Sequence, residues 1–253
     1  MTVEEIKQAY PFLYETHMHT KEASACATRC GSDMADAYKA YGYAGVIVTD
    51  HNWGGNTCIP RDLPWEEWIE KFFEGYRNTK ARGDEIGLDV FCGYEAGYGG
   101  PEFLIYGVTP EWMAKHPELK TLPVGDLRKV INEGGGMVIQ AHPFREEWYI
   151  DEVRIYPNDV EGVEIVNATH SNTRSHSHNN PEFDTKAIAL AKEYNHLTTG
   201  GSDMHSTDLF GGGMAFPTKL ESIQDFISRV RNRDDYVITN GEHWYTRTGD
   251  LII

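Results

Sequence analysis

The most constraining feature is an alternation. Short apolar, β-branched runs recur along the chain at Phe12–Thr16, Gly45–Thr49, Leu88–Cys92, Phe103–Val108, Met137–Ala141, Val163–Asn167 and Leu197–Gly200. Helix-like stretches lie between them: Ser32 or Asp33 to Tyr41, Trp65 to about Arg82, Pro123 to Glu133 and Asp184–Tyr194, with Ser222–Arg233 following the last run. Strand, helix, strand in succession predicts parallel strands joined by helical crossovers. Seven such units in 253 residues predict an α/β fold, a distorted (β/α)7 TIM-like barrel, with residues 1–253 forming one domain. An open doubly wound sheet is the alternative.

Chemistry-bearing residues sit just past the runs. His17-Met18-His19 follows the first, Asp50-His51 the second and Glu95 the third; His142-Pro143, His170 and Asp203-Met204-His205 follow later ones. In a parallel barrel every strand ends on one face, so six segments converge on one mouth. Residues two apart in an extended segment point the same way, which projects His17 with His19 and Asp203 with His205. Imidazoles together with carboxylates suit zinc, manganese or iron. No cysteine lies in these motifs, and the four present (Cys26, Cys30, Cys58, Cys92) read as reduced thiols.

In this order the motifs resemble the PHP (polymerase and histidinol phosphatase) family of metal-dependent phosphoesterases. The residues that carry the resemblance are Thr16-His17-Met18-His19-Thr20, Thr49-Asp50-His51, Gly93-Tyr94-Glu95, Ala141-His142-Pro143 and Gly201-Ser202-Asp203-Met204-His205. The resemblance implies two or three divalent ions at the strand C-terminal ends. It implies His17, His19, Glu95 and Asp203 around one, Glu95 bridging to a second with His142 and His170, and His51 and His205 at a third. Two positions depart from the family pattern. Ser24 stands where an Asp is common, with Glu22 nearby as a substitute. No His follows on the strand after Glu95, leaving Glu102 in its place.

The expected reaction is hydrolysis of a small phosphomonoester or nucleotide by a metal-bound hydroxide attacking phosphorus. Arg145, Lys21 and His176 are the expected substrate contacts, and Trp53 is placed to stack a base. His205, Asp50 and Arg145 are the candidate catalytic groups, although Asp50 can equally support a ligand histidine from behind. His116, His178, His196 and His243 read as surface or core residues. Two other classes compete: a non-catalytic metal-stabilised binding module, and an amidohydrolase barrel, which also begins with HxH but commonly bridges its metals with a modified Lys.

Charge and hydropathy narrow the partners. A formal charge of −16 opposes general duplex-DNA binding, which depends on Lys and Arg meeting phosphates. No apolar run approaches the ~20 residues of a membrane span. Glu4, Glu5 and Lys7 interrupt the start where a signal peptide would be apolar, so the expected compartment is the cytoplasm.

Overall fold

The computed structural model describes residues 1–253. Its helices are α1 (Val3–Ala9), α2 (Gly31–Tyr41), α3 (Trp65–Phe72), α4 (Glu74–Ile86), α5 (Pro110–Ala114), α6 (Val124–Glu133), α7 (Ala168–Ser171), α8 (Glu182–Tyr194) and α9 (Ile223–Asn232). Its strands are β1 (Phe12–Met18), β2 (Gly45–Val48), β3 (Asp89–Gly97), β4 (Glu102–Tyr106), β5 (Met137–Gln140), β6 (Gly162–Asn167), β7 (Leu197–Gly201), β8 (Gly212–Phe216), β9 (Val237–Asn240) and β10 (Trp244–Thr246). All ten join one curled sheet in the order β10-β9-β8-β1-β2-β3-β4-β5-β6-β7. No helix is long and apolar enough to cross a membrane.

The α/β class holds, but the expected ring of seven parallel strands does not. β1, β2 and β3 run parallel, as do β5, β6 and β7. β4 is antiparallel to both neighbours, β3 and β5. The reason is local: Gly97 to Pro101 turn the chain directly back, leaving no room for the helical crossover that parallel strands require. β8, β9 and β10 add an antiparallel meander to the edge of β1.

β1 consequently divides its partners. Its first half, Phe12 to Tyr14, pairs with β8. Its far end meets the segment after β7, where His19 N donates to Met204 O at 2.8 Å and Met204 N to His17 O at 3.2 Å. This contact curls the sheet so that the ends of β1 and β7 lie side by side. Between them β1 carries a bulge, since Glu15 faces Val46 but Met18 faces Val48. Glu15 Oε1 accepts from the N–H groups of Thr16 and His17, both at 3.0 Å, and from Ser202 N at 2.8 Å. Bulges re-aim side chains beside active sites.

The expected helix from Trp65 to Arg82 is two helices, broken at Phe73. The break lets α4 start against the top of β1 and cross α2 at two glycines. A methyl group on Gly31 would lie 2.3 Å from Thr79 Oγ1, and one on Gly75 would lie 1.9 Å from Thr20 Oγ1 and 2.8 Å from Asp50 Oδ2. Gly75 is therefore the point where helix packing touches the strand ends. Gly75→Ala should destabilise the protein by about 1–3 kcal/mol through overpacking, despite the better helix propensity of alanine. Urea denaturation checks this, and an unchanged or raised midpoint would show that the crossing has slack.

Candidate metal centre

Five histidines and three acids meet where the strands end. His17 and His19 leave the end of β1, His51 follows β2, and Glu95 lies within β3. Glu95 does not follow its strand, as the sequence reading had it, because pairing with β4 extends β3 to Gly97. The reversal of β4 places its first residue, Glu102, at the same mouth. His142 follows β5, and Asp203 and His205 follow β7. His17, His19, Glu95, His142 and Asp203 are all at most 5% exposed, and His51 is 6% exposed.

Glu95 is the hub. Its Oε1 lies 3.1 Å from His142 Nε2 and 3.3 Å from His17 Nε2, and its Oε2 lies 2.9 Å from His51 Nδ1 and 3.6 Å from His19 Nε2. Asp203 Oδ1 lies 3.0 Å from His19 Nε2 and 3.4 Å from His17 Nε2. Glu102 closes the far side, 3.5 Å from His51 Nδ1 and 3.6 Å from His142 Nε2. Convergent donor sets of metal-ligating kind are His17–Glu95–His142, His17–His19–Asp203, His51–Glu95–Glu102 and His19–His51–His205.

Outer hydrogen bonds fix which ring nitrogens face inward. Glu164 Oε1, on β6, lies 3.0 Å from His17 Nδ1 and takes its proton, turning the bare Nε2 toward Glu95 and Asp203. Glu164 Oε2 accepts from His142 N at 3.1 Å. His19 Nδ1 donates to Ser24 Oγ at 3.2 Å, and Ser24 Oγ donates to Asp50 Oδ1 at 2.7 Å. His205 Nδ1 donates to the Asp203 carbonyl at 2.8 Å. Such partners orient ligand imidazoles and raise their basicity.

The donors fit a cation by what they lack. His17 Nε2, His51 Nδ1 and Glu95 Oε2 are buried without a hydrogen-bond partner, although neighbours stand near them. Each such orphan costs about 1–3 kcal/mol, and lone pairs aimed at lone pairs are relieved by a positive charge between them. The backbone is held off its preferred conformations at two of these residues: His142 has φ +25° and Asp203 φ +53°. Strain of this kind, about 1–3 kcal/mol per residue, gathers at functional sites.

Electrostatics agree. Burial pushes Glu95 and Asp203 toward neutrality, yet His17 with His51 holds Glu95, and His17 with Arg145 holds Asp203, well below the usual carboxylate range. Burial opposes a charged His17, but Asp203, Glu164 and Glu95 raise it well above its ordinary value. Without a cation, the cluster draws in protons.

Several expected roles are corrected. Glu22 is not among the convergent groups; both its oxygens accept from Gly31 N, at 3.0 and 3.1 Å, at the start of α2. Both nitrogens of His170 are engaged elsewhere, Nδ1 with Asp184 Oδ1 at 2.7 Å and Nε2 with Arg145 Nε at 3.0 Å. Arg145 is no free phosphate clamp: buried, it pairs with Asp203 Oδ2 at 2.7 Å. Asp50 is buried under Thr20 and Ser24, accepting from Thr20 N at 2.6 Å and Thr20 Oγ1 at 2.7 Å, so it supports ligands and does not face the mouth. Trp53 packs against Trp65 and Trp68, with ring centroids 5.0 and 5.4 Å away, which removes it as a base platform.

Lys21 is exposed on the β1–α2 loop. His176 is exposed in an open groove of about 740 Å³ shared with Arg174, Ser206 and Phe210, next to His205. His178 contacts Glu147 at 2.5 Å, tying the loop after α7 to the loop after β5. His116, His196 and His243 stand outside the convergent groups. Glu164 was missed in the sequence; its only signal is one acid inside the apolar run Gly162-Val163-Glu164-Ile165-Val166.

Glu164→Gln keeps the shape and weakens the acceptor behind His17. Divalent-metal affinity should fall by about 10- to 100-fold. Competition against a chelating dye measures it, with circular dichroism confirming the fold. Unaltered affinity would remove Glu164 from this role.

No protein-family model matches the chain, and no curated protein matches it. Solved structures do. A two-domain protein from Bacteroides vulgatus, named as containing a predicted PHP-like metal-dependent phosphoesterase, superposes with TM-score 0.64 at 14% identity over 90% of this chain. The chain spans 64% of that protein's length. A provisionally named metal-dependent phosphoesterase from Bifidobacterium adolescentis gives TM-score 0.51 at 15% identity, covering 87% of this chain and 96% of that one. PsfC from Pseudomonas syringae gives 0.53 at 19%, covering 86% and 88%. The chain thus has the fold of structures named as PHP-like metal-dependent phosphoesterases, and its strand ends carry a buried imidazole–carboxylate cluster suited to divalent cations.

Proposed function

We propose that the protein is a metal-dependent phosphoesterase that hydrolyses a small phosphomonoester or nucleotide. The observation that carries this reading is Glu95, a buried carboxylate with one oxygen beside His17 and His142 and the other beside His51. A carboxylate so shared suits two neighbouring cations, whose repulsion it offsets. His17, His19 and Asp203 would hold one, His142 and Glu102 the other; zinc, manganese and iron all suit these donors. Bound there, the cations supply Lewis acidity toward the phosphoryl oxygens and lower the pKa of water.

The chain's own residues then set geometry. Glu164 and Ser24 keep His17 and His19 in the ligating tautomer, while Arg145 holds Asp203 in its strained conformation. His205 is the most open of the clustered imidazoles, with 28% of its side chain exposed, and marks the side from which substrate enters. The leaving oxygen departs on that side, where solvent supplies its proton. Arg174 and His176 line the groove beyond, offering polar contacts to the rest of a small substrate.

The surrounding charge of −16 disfavours long polyanions, so attraction is confined to the mouth. We take residues 1–253 as one domain, since one sheet runs from Phe12 to Thr246. Four free thiols suit a reducing compartment such as the cytoplasm.

Two measurements test the reading. Glu95→Gln should lose bound metal and slow phosphate-ester hydrolysis by about a hundredfold or more; a normal rate with full occupancy rejects the bridge. A mononucleotide should be turned over with a higher kcat/KM than a short oligonucleotide at both low and high salt. A preference for the long strand that salt abolishes would instead indicate a nuclease.

A further inference from the structure

The loop between β1 and α2 brings another donor to the cluster. It is pinned on both sides of residue 26. Ser24 Oγ accepts from His51 N at 3.0 Å, Ala25 N donates to Asn56 O at 2.8 Å, and Thr28 N donates to His205 O at 2.8 Å. Cys26, half-buried between these anchors, has its thiol within hydrogen-bonding reach of both the His51 and His205 side chains.

The other thiols are placed differently. Cys30 Sγ lies 3.1 Å from Ser32 Oγ at the start of α2. Cys58 Sγ lies 3.4 Å from the Glu22 carbonyl, and Cys92 is buried in the core on β3.

His19, His51 and His205 bring ring nitrogens within 4.8 Å of one another, with His19 stacked at 4.3 Å on each of the other two. This corner has a deficiency. Its three donors are neutral imidazoles, and His19 Nε2 is already directed at Asp203. Glu22 is turned away to α2, and Ser24 stands where a carboxylate would have reached in. A divalent ion here has no anionic ligand of its own from the carboxylates. A thiolate supplies one, and thiolate with imidazole selects zinc over magnesium or manganese.

We propose that Cys26, together with His51 and His205, forms a thiolate-containing metal position at the edge of the cluster. The proposal rests on the cluster's binding divalent cations, as in the function proposed above. It adds that one position is sulfur-ligated, zinc-selective and open to alkylation when empty. The thiol gives up its proton on binding, and no oxidant is required.

Cobalt(II) separates these claims. The metal-free full chain is titrated with cobalt and its absorption recorded. Thiolate ligation gives a sulfur-to-cobalt charge-transfer band in the near ultraviolet that nitrogen and oxygen donors do not. The parent should develop the band; Cys26→Ser should lose it while still binding cobalt at the remaining donors; Cys30→Ser and Cys58→Ser should keep it. Bound cobalt without the band, or a band that survives in Cys26→Ser, overturns the sulfur position and leaves the metal cluster standing. No cobalt bound by the parent overturns both. Iodoacetamide labelling of the unmutated chain, mapped by mass spectrometry, tests it independently of any variant's folding. Zinc should slow labelling of Cys26 at least about tenfold and magnesium should not, because the same thiolate serves as nucleophile and as ligand. Equal labelling with and without zinc overturns the proposal.

Discussion

The structure depends on one arrangement: acceptors buried against acceptors where the strands end. Glu95 is fully buried with His17, His51 and His142 about its two oxygens, and Glu164 takes the proton of His17 that would otherwise have satisfied Glu95. A fold that only needed stability would fill this space with apolar side chains, since a buried ion pair rarely outperforms them. What the arrangement gains is a place for a cation. The bulge in β1, the left-handed backbone of His142 and Asp203, and the glycine crossing of α2 and α4 are local costs that keep these atoms convergent.

The antiparallel β4 is part of the same logic. In a ring of parallel strands Glu102 would begin its strand at the far face, remote from His51 and His142. Reversing the strand through a tight turn brings Glu102 to the mouth and lengthens β3, so that Glu95 rests on a paired strand and not on a loop. A ligand on a hydrogen-bonded strand is held more rigidly than one on a connection. The two acids therefore reach the cluster from adjacent residues of one hairpin, Glu95 opposite Leu104 and Glu102 opposite Gly97.

Much of this is legible in the sequence because strand ends and i, i+2 spacing are local properties. His17 with His19, His51, His142 and Asp203 with His205 fall together because each follows its own apolar run. What escapes is non-local. The direction of β4 depends on a turn whose consequence appears only in pairing, and the meander of β8 to β10 is built from Gly-rich and short runs without strong alternation. Buried polar partners escape for another reason. Nothing in composition separates Arg145, paired to Asp203, from an exposed cation, or Glu22, held at α2, from a ligand. Cys26 was set aside because no cysteine lies in a motif, yet a loop pinned at Ser24 and Thr28 carries it to His51 and His205.

Charge balance joins these parts. Glu95, Glu102, Glu164 and Asp203 surround the cluster, and Arg145 is the one permanent cation buried among them. Glu15 and Asp50 lie just outside, where burial raises them to about 7 and about 6, so they add little charge near neutral pH. Two divalent ions would turn this region slightly positive, and a third would require a further anion, which a Cys26 thiolate supplies. The resulting local excess matches the charge of a phosphate dianion. A chain of net charge −16 can then attract a small phosphate ester at its mouth while its remaining surface repels longer polyanions, because screening confines each field to about a Debye length of ~8 Å at physiological ionic strength. Selectivity for small substrates follows from the separation between the positive mouth and the acidic surface, and requires no steric gate.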